Sequence, residues 1–313
     1  MHPYSEDFSM KNTDEGPNLL SVVVPVRNMA GRLNLFSSWL LKEVTTNVQV
    51  IVVYDYSDDD TATELKLILS NINLGNIHFI EGRFGNPGAA RNAGLKIATA
   101  DWITFWDSDD FPIVEEFLEM IQIASKQGAE CAIGSFSVFR GPITSNHKKH
   151  IIETSSQSYF DEIAMNPGIW RWAFKRTILG ESRFLPIRMG EDLSFLVELN
   201  VADRKLFASC KIVYNYQTGL EAQLTSQPKA IPDLLVSLEF LLKKFNVSTI
   251  PMERFVSILF CRQVLTLMRK GNFESKLRLL KFLAINSPDL LKNKSPIAAA
   301  MRFVLQNRKP LVN

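Results

Sequence analysis

The sequence predicts an α/β chain: a mixed, mostly parallel sheet flanked by helices, with a helical extension toward the C-terminus. Three observations carry this. Short Val- and Ile-rich runs alternate with amphipathic stretches from Leu19 to Ser125. Those runs are too apolar to keep a wet face, as expected of strands covered on both sides in a parallel sheet. From Pro228 onward the periodicity is helical only.

The elements follow in order. LLSVVVPV (Leu19 to Val26) reads as a first buried strand, ended by Arg27-Asn28. Arg32 to Val44 places Leu33, Phe36, Leu40 and Leu41 at helical spacing. Val48 to Tyr54 is a second strand, closed by the acidic turn DYSDDD, and Thr61 to Leu69 is helical. Ile77 to Ile80 is a third strand. Asn86-Pro87-Gly88 opens a helix through Ala98, and Trp102 to Trp106 is a fourth strand. Pro112 is expected in the first turn of a helix through Ser125. Strand and helix alternating with short loops imply βαβ units. Cys131 to Phe139 and Lys211 to Tyr216 read as strands, Gly141 to Ser158 as a polar stretch, and Glu191 to Asp203 as a helix. Four helices follow, over Asp233 to Phe245, Met252 to Lys270, Ser275 to Ile285 and Pro296 to Asn307. The expected organisation is a polar leader (1–17), a catalytic-type domain (18–228, halves 18–127 and 128–228) and a basic helical region (229–313).

Composition narrows the function classes. The chain has 313 residues, 46% of them hydrophobic and 22% charged, an ordinary globular balance. Three cysteines form no CxxC pair and no disulfide framework, so a reducing cytoplasm and buried thiols are expected. The N-terminal stretch is polar and acidic, without the apolar core of a signal peptide, and no apolar run is long enough to span a bilayer. A net charge of +2 gives no reason to expect a nucleic-acid partner. The charge is uneven, however. Lys243 to Asn313 carries 14 Lys or Arg against Glu253, Glu274 and Asp289, a balance of +11. The expectation is a cytoplasmic enzyme with peripheral contact to an anionic membrane through two sets of residues. The first combines Phe245, Phe255, Ile258, Leu259, Phe260, Leu265 and Leu267 with neighbouring arginines. The second is the run Lys276 to Leu283. The alternative is that these apolar residues all face the core.

In open α/β sheets ligands bind beyond the carboxyl ends of the strands. Four such ends carry Arg27-Asn28, Asp55 to Asp60, Gly82 to Gly94, and Asp107-Ser108-Asp109-Asp110. The last is the sharpest signal. Carboxylates at i and i+2 after a strand as apolar as WITFW can face one hard divalent ion, Mn²⁺ or Mg²⁺, and repel each other without it. The alternative is an N-cap, which accounts for one Asp and not three. An EF-hand fails, because Pro112 and Leu118 stand where Gly and Glu are needed. Gly82 to Gly94 reads as an anion cradle, with Gly85 and Gly88 allowing close approach and free N–H groups and Arg91 meeting phosphate. Glu191-Asp192 either complements a helix dipole or supplies a general base. Trp170 and Trp172, around Arg171, are candidates for an acceptor groove. His147 and His150 are expected in solvent.

Together these segments resemble the family 2 inverting glycosyltransferases of the GT-A fold. SVVVPVRN is similar to that family's first strand and turn, VIVVYDYSDDDT to its second-strand acidic loop, GNPGAARNAGLKIATADWITFWDSDD to its Ala-Arg-Asn helix and D-x-D strand, and MGEDLSF to its later Glu-Asp segment. The resemblance covers Leu20 to about Asn200. It implies that Pro25, Arg27 and Asp55 hold the nucleoside, that Arg91 supports the diphosphate, and that Asp107 and Asp109 form the D-x-D pair, with Asp109 on Mn²⁺ or Mg²⁺. It further implies that Asp192 deprotonates the acceptor, with Asn28, Asn86, Gly88, Asp110, Glu191 and Trp170 as accessory site residues. The partners implied are a nucleotide-sugar donor, most often a UDP-sugar, and a glycan or lipid-linked saccharide acceptor. Tyr54, Tyr56 and Arg27 depart from the family pattern, which leaves base and sugar open. No metal-binding His is evident in QTGLEAQLTS after Tyr216. The competing readings are a catalytically silent binding protein of the same fold and a nucleotidyltransferase. The second should carry a basic Gly-rich loop after the first strand, where Val26-Arg27-Asn28-Met29-Ala30 stands instead.

Overall fold

The structure, a computed structural model, describes residues 18–42, 44–45, 47–72, 75–141, 143, 147–154, 159–219, 230–245 and 249–307. The leader at 1–17, and most of the segment after Gln217-Thr218-Gly219, lie outside the described residues.

The first half alternates as expected: β1 (Leu20–Val26), α1 (Asn34–Lys42), β2 (Val48–Asp55), α2 (Thr61–Ser70), β3 (Ile77–Gly82), α3 (Pro87–Leu95) and β4 (Trp102–Phe105). These four strands pair in parallel in the order β3-β2-β1-β4. The period of two in a strand explains why β1 and β2 are apolar at most positions on both faces. Val23, Ile51 and Val53 enter one core cluster, whereas Leu20, Val22, Val24, Val50 and Val52 enter the other on the opposite face. α3 lies so close to β1 and β2 that a Cβ on Gly94 would stand 2.4 Å from Val23 and 3.1 Å from Val53.

The second half is antiparallel and mixed. Pro112 belongs not to a helix but to the short strand β5 (Phe111–Pro112), and α4 begins after it (Val114–Lys126). Then come β6 (Cys131–Arg140), β7 (Lys148–His150), α5 (Tyr159–Met165), β8 (Trp172–Lys175), α6 (Arg176–Leu179), α7 (Glu191–Glu198) and β9 (Leu206–Thr218). The sheet continues β4-β8-β6-β9-β5, with β7 beside β6. The helix expected to Asp203 stops at α7, because Asn200 takes the left-handed conformation (φ 52°) that ends helices. His147 and His150 are not solvated: they stack on Phe139 and Phe136 at 5.2 and 4.6 Å. Cys131 and Cys261 are buried, but Cys210 is exposed.

Among the described residues five helices follow: α8 (Asp233–Phe245), α9 (Ile250–Lys270), α10 (Phe273–Ile285), α11 (Ser287–Lys292) and α12 (Lys294–Asn307). Much of their apolar surface joins the same cluster as Val23 of β1, Ile51 and Val53 of β2, and α7. This corrects the first half of the membrane expectation. Phe245, Phe255, Ile258, Leu259, Phe260 and Leu267 are buried and Leu265 packs against them, so they form core and not an interfacial face. Burying each such side chain stabilises by about 1.5–3 kcal/mol, which decides where they go. Among the described residues no helix is long and apolar enough to cross a membrane.

Candidate functional site

The carboxyl ends of β1 and β2 are zipped together by the acidic turn. Asn28, at φ 50°, donates its N–H to Ser57 Oγ (2.9 Å) and accepts the Asp58 N–H at Oδ1 (3.2 Å). Asp59 accepts from the Ala30 N–H, the Thr61 N–H and the Thr61 hydroxyl. Much of this acidic run therefore satisfies the amides of its own turns. Asp55 is buried and accepts from Arg27 Nη1 (2.9 Å), the Phe84 N–H (2.7 Å) and the Gly85 N–H (2.9 Å). Pro25, two residues from Arg27, pairs with Val53 in the β1–β2 ladder.

The expected cradle is thus corrected in one respect: the Phe84, Gly85 and Ala89 amides are taken by side chains of the protein itself. The carboxylate that the Phe84 and Gly85 amides meet is that of Asp55. The Ala89 amide donates to the Asn86 side chain (2.8 Å), which makes Asn86 the N-cap of α3. The close approach at Gly88 is made by the chain itself, since a Cβ there would stand 2.1 Å from the Leu185 carbonyl oxygen. One turn on, Asn92 exchanges two hydrogen bonds with the Phe184 backbone (2.9 and 2.8 Å). α3 and the segment before α7 are thereby locked together.

Arg91 stands between two acidic motifs that are distant in sequence. Nη2 donates to Asp107 Oδ1 (2.8 Å) and Nη1 to Glu191 Oε1 (2.7 Å), with its own side chain only 5% exposed. Burial opposes its charge, but Asp107 and Glu191 together hold it firmly protonated. Burial, then repulsion from Asp192, pushes the Glu191 carboxyl upward against the pull of Arg91. Burial raises Asp192 as well, with Arg91 opposing and Asp107 adding to the rise.

At the end of β4, Asp107 and Asp109 are partly exposed and Asp110 is fully buried. Asp110 does not cap α4, whose N-cap position is Ile113. It accepts the Gln217 N–H (2.7 Å), which ties the acidic turn to β9. Burial, followed by repulsion from Asp109 and Asp107, lifts it well above the ordinary carboxylate range. Beside it the Tyr214 hydroxyl accepts the Asp107 N–H (3.1 Å). Burial raises the Tyr216 hydroxyl, and the charges of Asp110, Asp109, Asp107 and Asp192 add to the rise. Trp170 lies behind, stacked on Tyr214 (4.6 Å) and Tyr216 (5.2 Å) and 8% exposed. It supports the wall more than it lines a groove. Among the described residues no group of three or more His, Cys, Asp or Glu is placed to hold a metal ion. Asp107 and Asp109 are hard oxygen donors that fit a divalent ion whose remaining ligands come from elsewhere, such as a diphosphate.

The carboxylates of α7 are aimed from behind by the C-terminal helices. The Gly190 carbonyl accepts from Ser194 Oγ (2.9 Å) and Ser237 Oγ (3.1 Å), and Gln263 Nε2 donates to Ser237 (2.9 Å). Just before it, Arg188 grips Asp233 with its N–H, Nε and Nη2 at 2.8, 2.9 and 3.1 Å. Gly190 has φ 89°, and a Cβ there would meet Ser237 Cβ at 2.9 Å. Gly190→Ala is therefore expected to destabilise by about 1–3 kcal/mol in urea denaturation, through backbone strain and overpacking. A cost under about 0.5 kcal/mol, the range of inert surface changes, would show that the approach is slack.

The structure gathers the predicted residues into two groups. One holds Pro25, Arg27, Asn28 and Asp55 with the 84–86 turn; the other holds Arg91, Asp107, Asp109, Asp110, Glu191 and Asp192. Asn92, Tyr214, Tyr216, Ser237 and Gln263 escaped sequence reading. Only Asn92, one residue from Arg91 in the same helix, carried a local signal.

A family model described as Glycosyl transferase family 2 matches residues 21–186. An uncharacterized glycosyltransferase of Haemophilus influenzae is 36% identical over 93 residues, 30% of this chain and 37% of its own length. The Escherichia coli enzyme named UDP-Glc:alpha-D-GlcNAc-diphosphoundecaprenol beta-1,3-glucosyltransferase WfgD is 29% identical over 121 residues, 38% of this chain and 46% of its own. The matched part of this chain thus spans less than half the length of those curated relatives. Among solved structures, Staphylococcus aureus TarS 1–349 in complex with UDP-GlcNAc superposes with a TM-score of 0.56 at 16% identity, over 92% of this chain and 90% of that one. A mannosyltransferase from Pyrobaculum calidifontis in complex with GDP-Man and Mn²⁺ superposes with a TM-score of 0.53 at 13% identity, over 96% and 92%. These likenesses show the fold.

Proposed function

Because the chain belongs to glycosyl transferase family 2, we propose that it is a cytoplasmic inverting glycosyltransferase that moves a sugar from a nucleotide-diphosphate donor, a UDP-sugar, to a glycan or lipid-linked saccharide hydroxyl. The observation that carries this reading is the Arg91 bridge. It joins Asp107, at the end of β4, to Glu191 of the Glu191-Asp192 pair, at the start of α7, through one buried cation. The names of the relatives and the UDP-GlcNAc in TarS support a UDP-sugar donor, and the WfgD acceptor supports a lipid-linked one.

In this reading Arg27 and Asp55, braced against the 84–85 amides, form the floor for the nucleoside. Asp107 and Asp109 face the diphosphate and would hold Mn²⁺ or Mg²⁺, which as a Lewis acid eases departure of the nucleoside diphosphate. Asp192 takes the proton from the acceptor hydroxyl as that oxygen attacks the anomeric carbon, so that a single displacement inverts the centre. Arg91 and Glu191 orient this end of the cleft. Tyr216, stacked on Trp170, helps shape the space for the transferred sugar.

The direct test is a panel of nucleotide sugars screened by thermal shift with and without Mn²⁺, followed by slow hydrolysis of whichever one binds. A ligand that binds only the folded state raises the melting temperature, by about 2.7 kcal/mol of stabilisation at a hundredfold excess over Kd. No shift with any donor would overturn the reading. Asp109→Asn is expected to abolish the Mn²⁺-dependent part of the shift while stabilising the apo protein by about 1 kcal/mol, because Asp110 loses a repulsive neighbour. A metal-dependent shift that survives this change would remove Asp109 from the metal site.

A further inference from the structure

α10 is seated on the protein by one face and leaves an apolar stripe on the other. Ser275 and Leu279 are buried, and Phe282 and Leu283 pack against the core, so the helix is anchored. Phe273, Leu277 and Leu280, with Ala284 one turn on, recur at three- and four-residue spacing on the opposite face. Phe273 is 82% exposed, and Leu277 and Leu280 are 55% exposed each. Lys276 flanks this stripe on one side and Lys281 on the other. On the helices that follow, Lys294 and Arg302 of α12 and Leu291 of α11 are exposed as well. The acids of α10 and α11 are already matched: Glu274 pairs with Arg278 (2.5 Å) and Asp289 with Lys292 (3.6 Å).

We propose that this face of α10 docks the protein on an anionic lipid surface, with Phe273, Leu277 and Leu280 entering the headgroup boundary and Lys276 and Lys281 lying among the lipid phosphates. An apolar stripe between lysines is the chemistry of an interfacial helix, in which long cationic side chains reach outward while their stems cover apolar surface. The flanking charge selects the occupant. A second copy of this chain pairing through the same stripe would bring lysines against lysines, whereas an anionic leaflet complements them. A polyanion without an apolar phase would leave Phe273 and the leucines in water. The surface lies on α10, whereas the residues of the transfer reading lie on the sheet edge and α7. Docking and transfer therefore stand or fall separately.

The test is co-sedimentation of the full chain with vesicles of phosphatidylcholine, with and without phosphatidylglycerol. Binding is expected to the anionic vesicles at low ionic strength, and is expected to fall away in about 1 M salt, where the screening length is about 3 Å. Each lysine near such a surface is worth about fivefold in partitioning, equivalent to about 1 kcal/mol. Lys276→Glu with Lys281→Glu is therefore expected to lower binding more than tenfold, and Phe273→Ser with Leu277→Ser to do the same without changing the melting temperature. Absence of binding to anionic vesicles at low salt would overturn the proposal. So would binding that both double variants retain, or a dimer in solution that Phe273→Ser with Leu277→Ser dissolves. Vesicle binding by a preparation that turns over no donor would support docking while overturning the transfer reading.

Discussion

Asp192→Asn is expected to lower sugar transfer by about 10²–10⁴-fold while leaving donor affinity unchanged, the worth of a positioned general base. The measurement is a single-turnover rate set beside calorimetric donor binding. Because a base works deprotonated, and burial raises this carboxyl, the acid limb of the wild-type rate should lie above the ordinary carboxylate range. Glu191→Gln removes one of the two carboxylates that occupy Arg91, a cation that favours ionised Asp192. The limb should therefore move to lower pH with the rate above it largely kept. A dead Glu191→Gln beside an active Asp192→Asn would exchange the two roles. A fall in donor affinity equal to the fall in rate would make Asp192 a binding residue.

Arg91→Met is expected to have the largest effect on stability. It leaves Asp107 and the buried Glu191 without their shared cation, and stranding a buried charge in this way costs about 3–5 kcal/mol. The penalty applies while the carboxylates are ionised. Glu191 already binds its proton more tightly in the folded chain than in the unfolded one, so the loss should be greatest above neutral pH and shrink as the pH falls. Urea denaturation across that range measures it. Arg91→Lys keeps the charge without the planar fork that reaches both carboxylates, so it should fall between the two. A loss under about 1 kcal/mol for Arg91→Met at high pH, in the range of exposed ion pairs, would mean that the bridge contributes little to holding the acidic motifs together.

The parallel half of the sheet was legible because its signal is local. Most residues of β1 and β2 are apolar since both faces are covered, the buried Ser21 and Gln49 bonding to each other, and the polar residues that follow mark the edge of the candidate site. The roles of those residues were less legible. Asp55 and Asn86 have the residue types of a ligand site, yet much of their hydrogen bonding goes to the protein's own amides. A turn amide and a phosphate ask for the same acceptor and donor groups, so sequence alone cannot divide them.

Pro112 and the tail show the same limit. A proline before an amphipathic run fits the first turn of a helix, but pairing of Pro112 with Tyr214 makes it a strand residue. Apolar residues interleaved with arginine fit an interfacial helix or a buried one equally well. Packing against α5, α8 and α12 buried those of α9, while part of the α10 stripe was left outward.

By itself the sequence determined the order of strands and helices in the first half and the acidic motifs that gather at the candidate site, because period, residue type and loop position are properties of short segments. Tertiary structure alone decided that Arg91 joins Asp107 to Glu191, that Gly190 is held by Ser194 and Ser237 with Gln263 behind, that Tyr216 stacks on Trp170, and which face of each C-terminal helix is covered. Those are contacts between distant segments. Their energy depends on burial and on partners brought by other elements, and neither is written in the spacing of residues along one element.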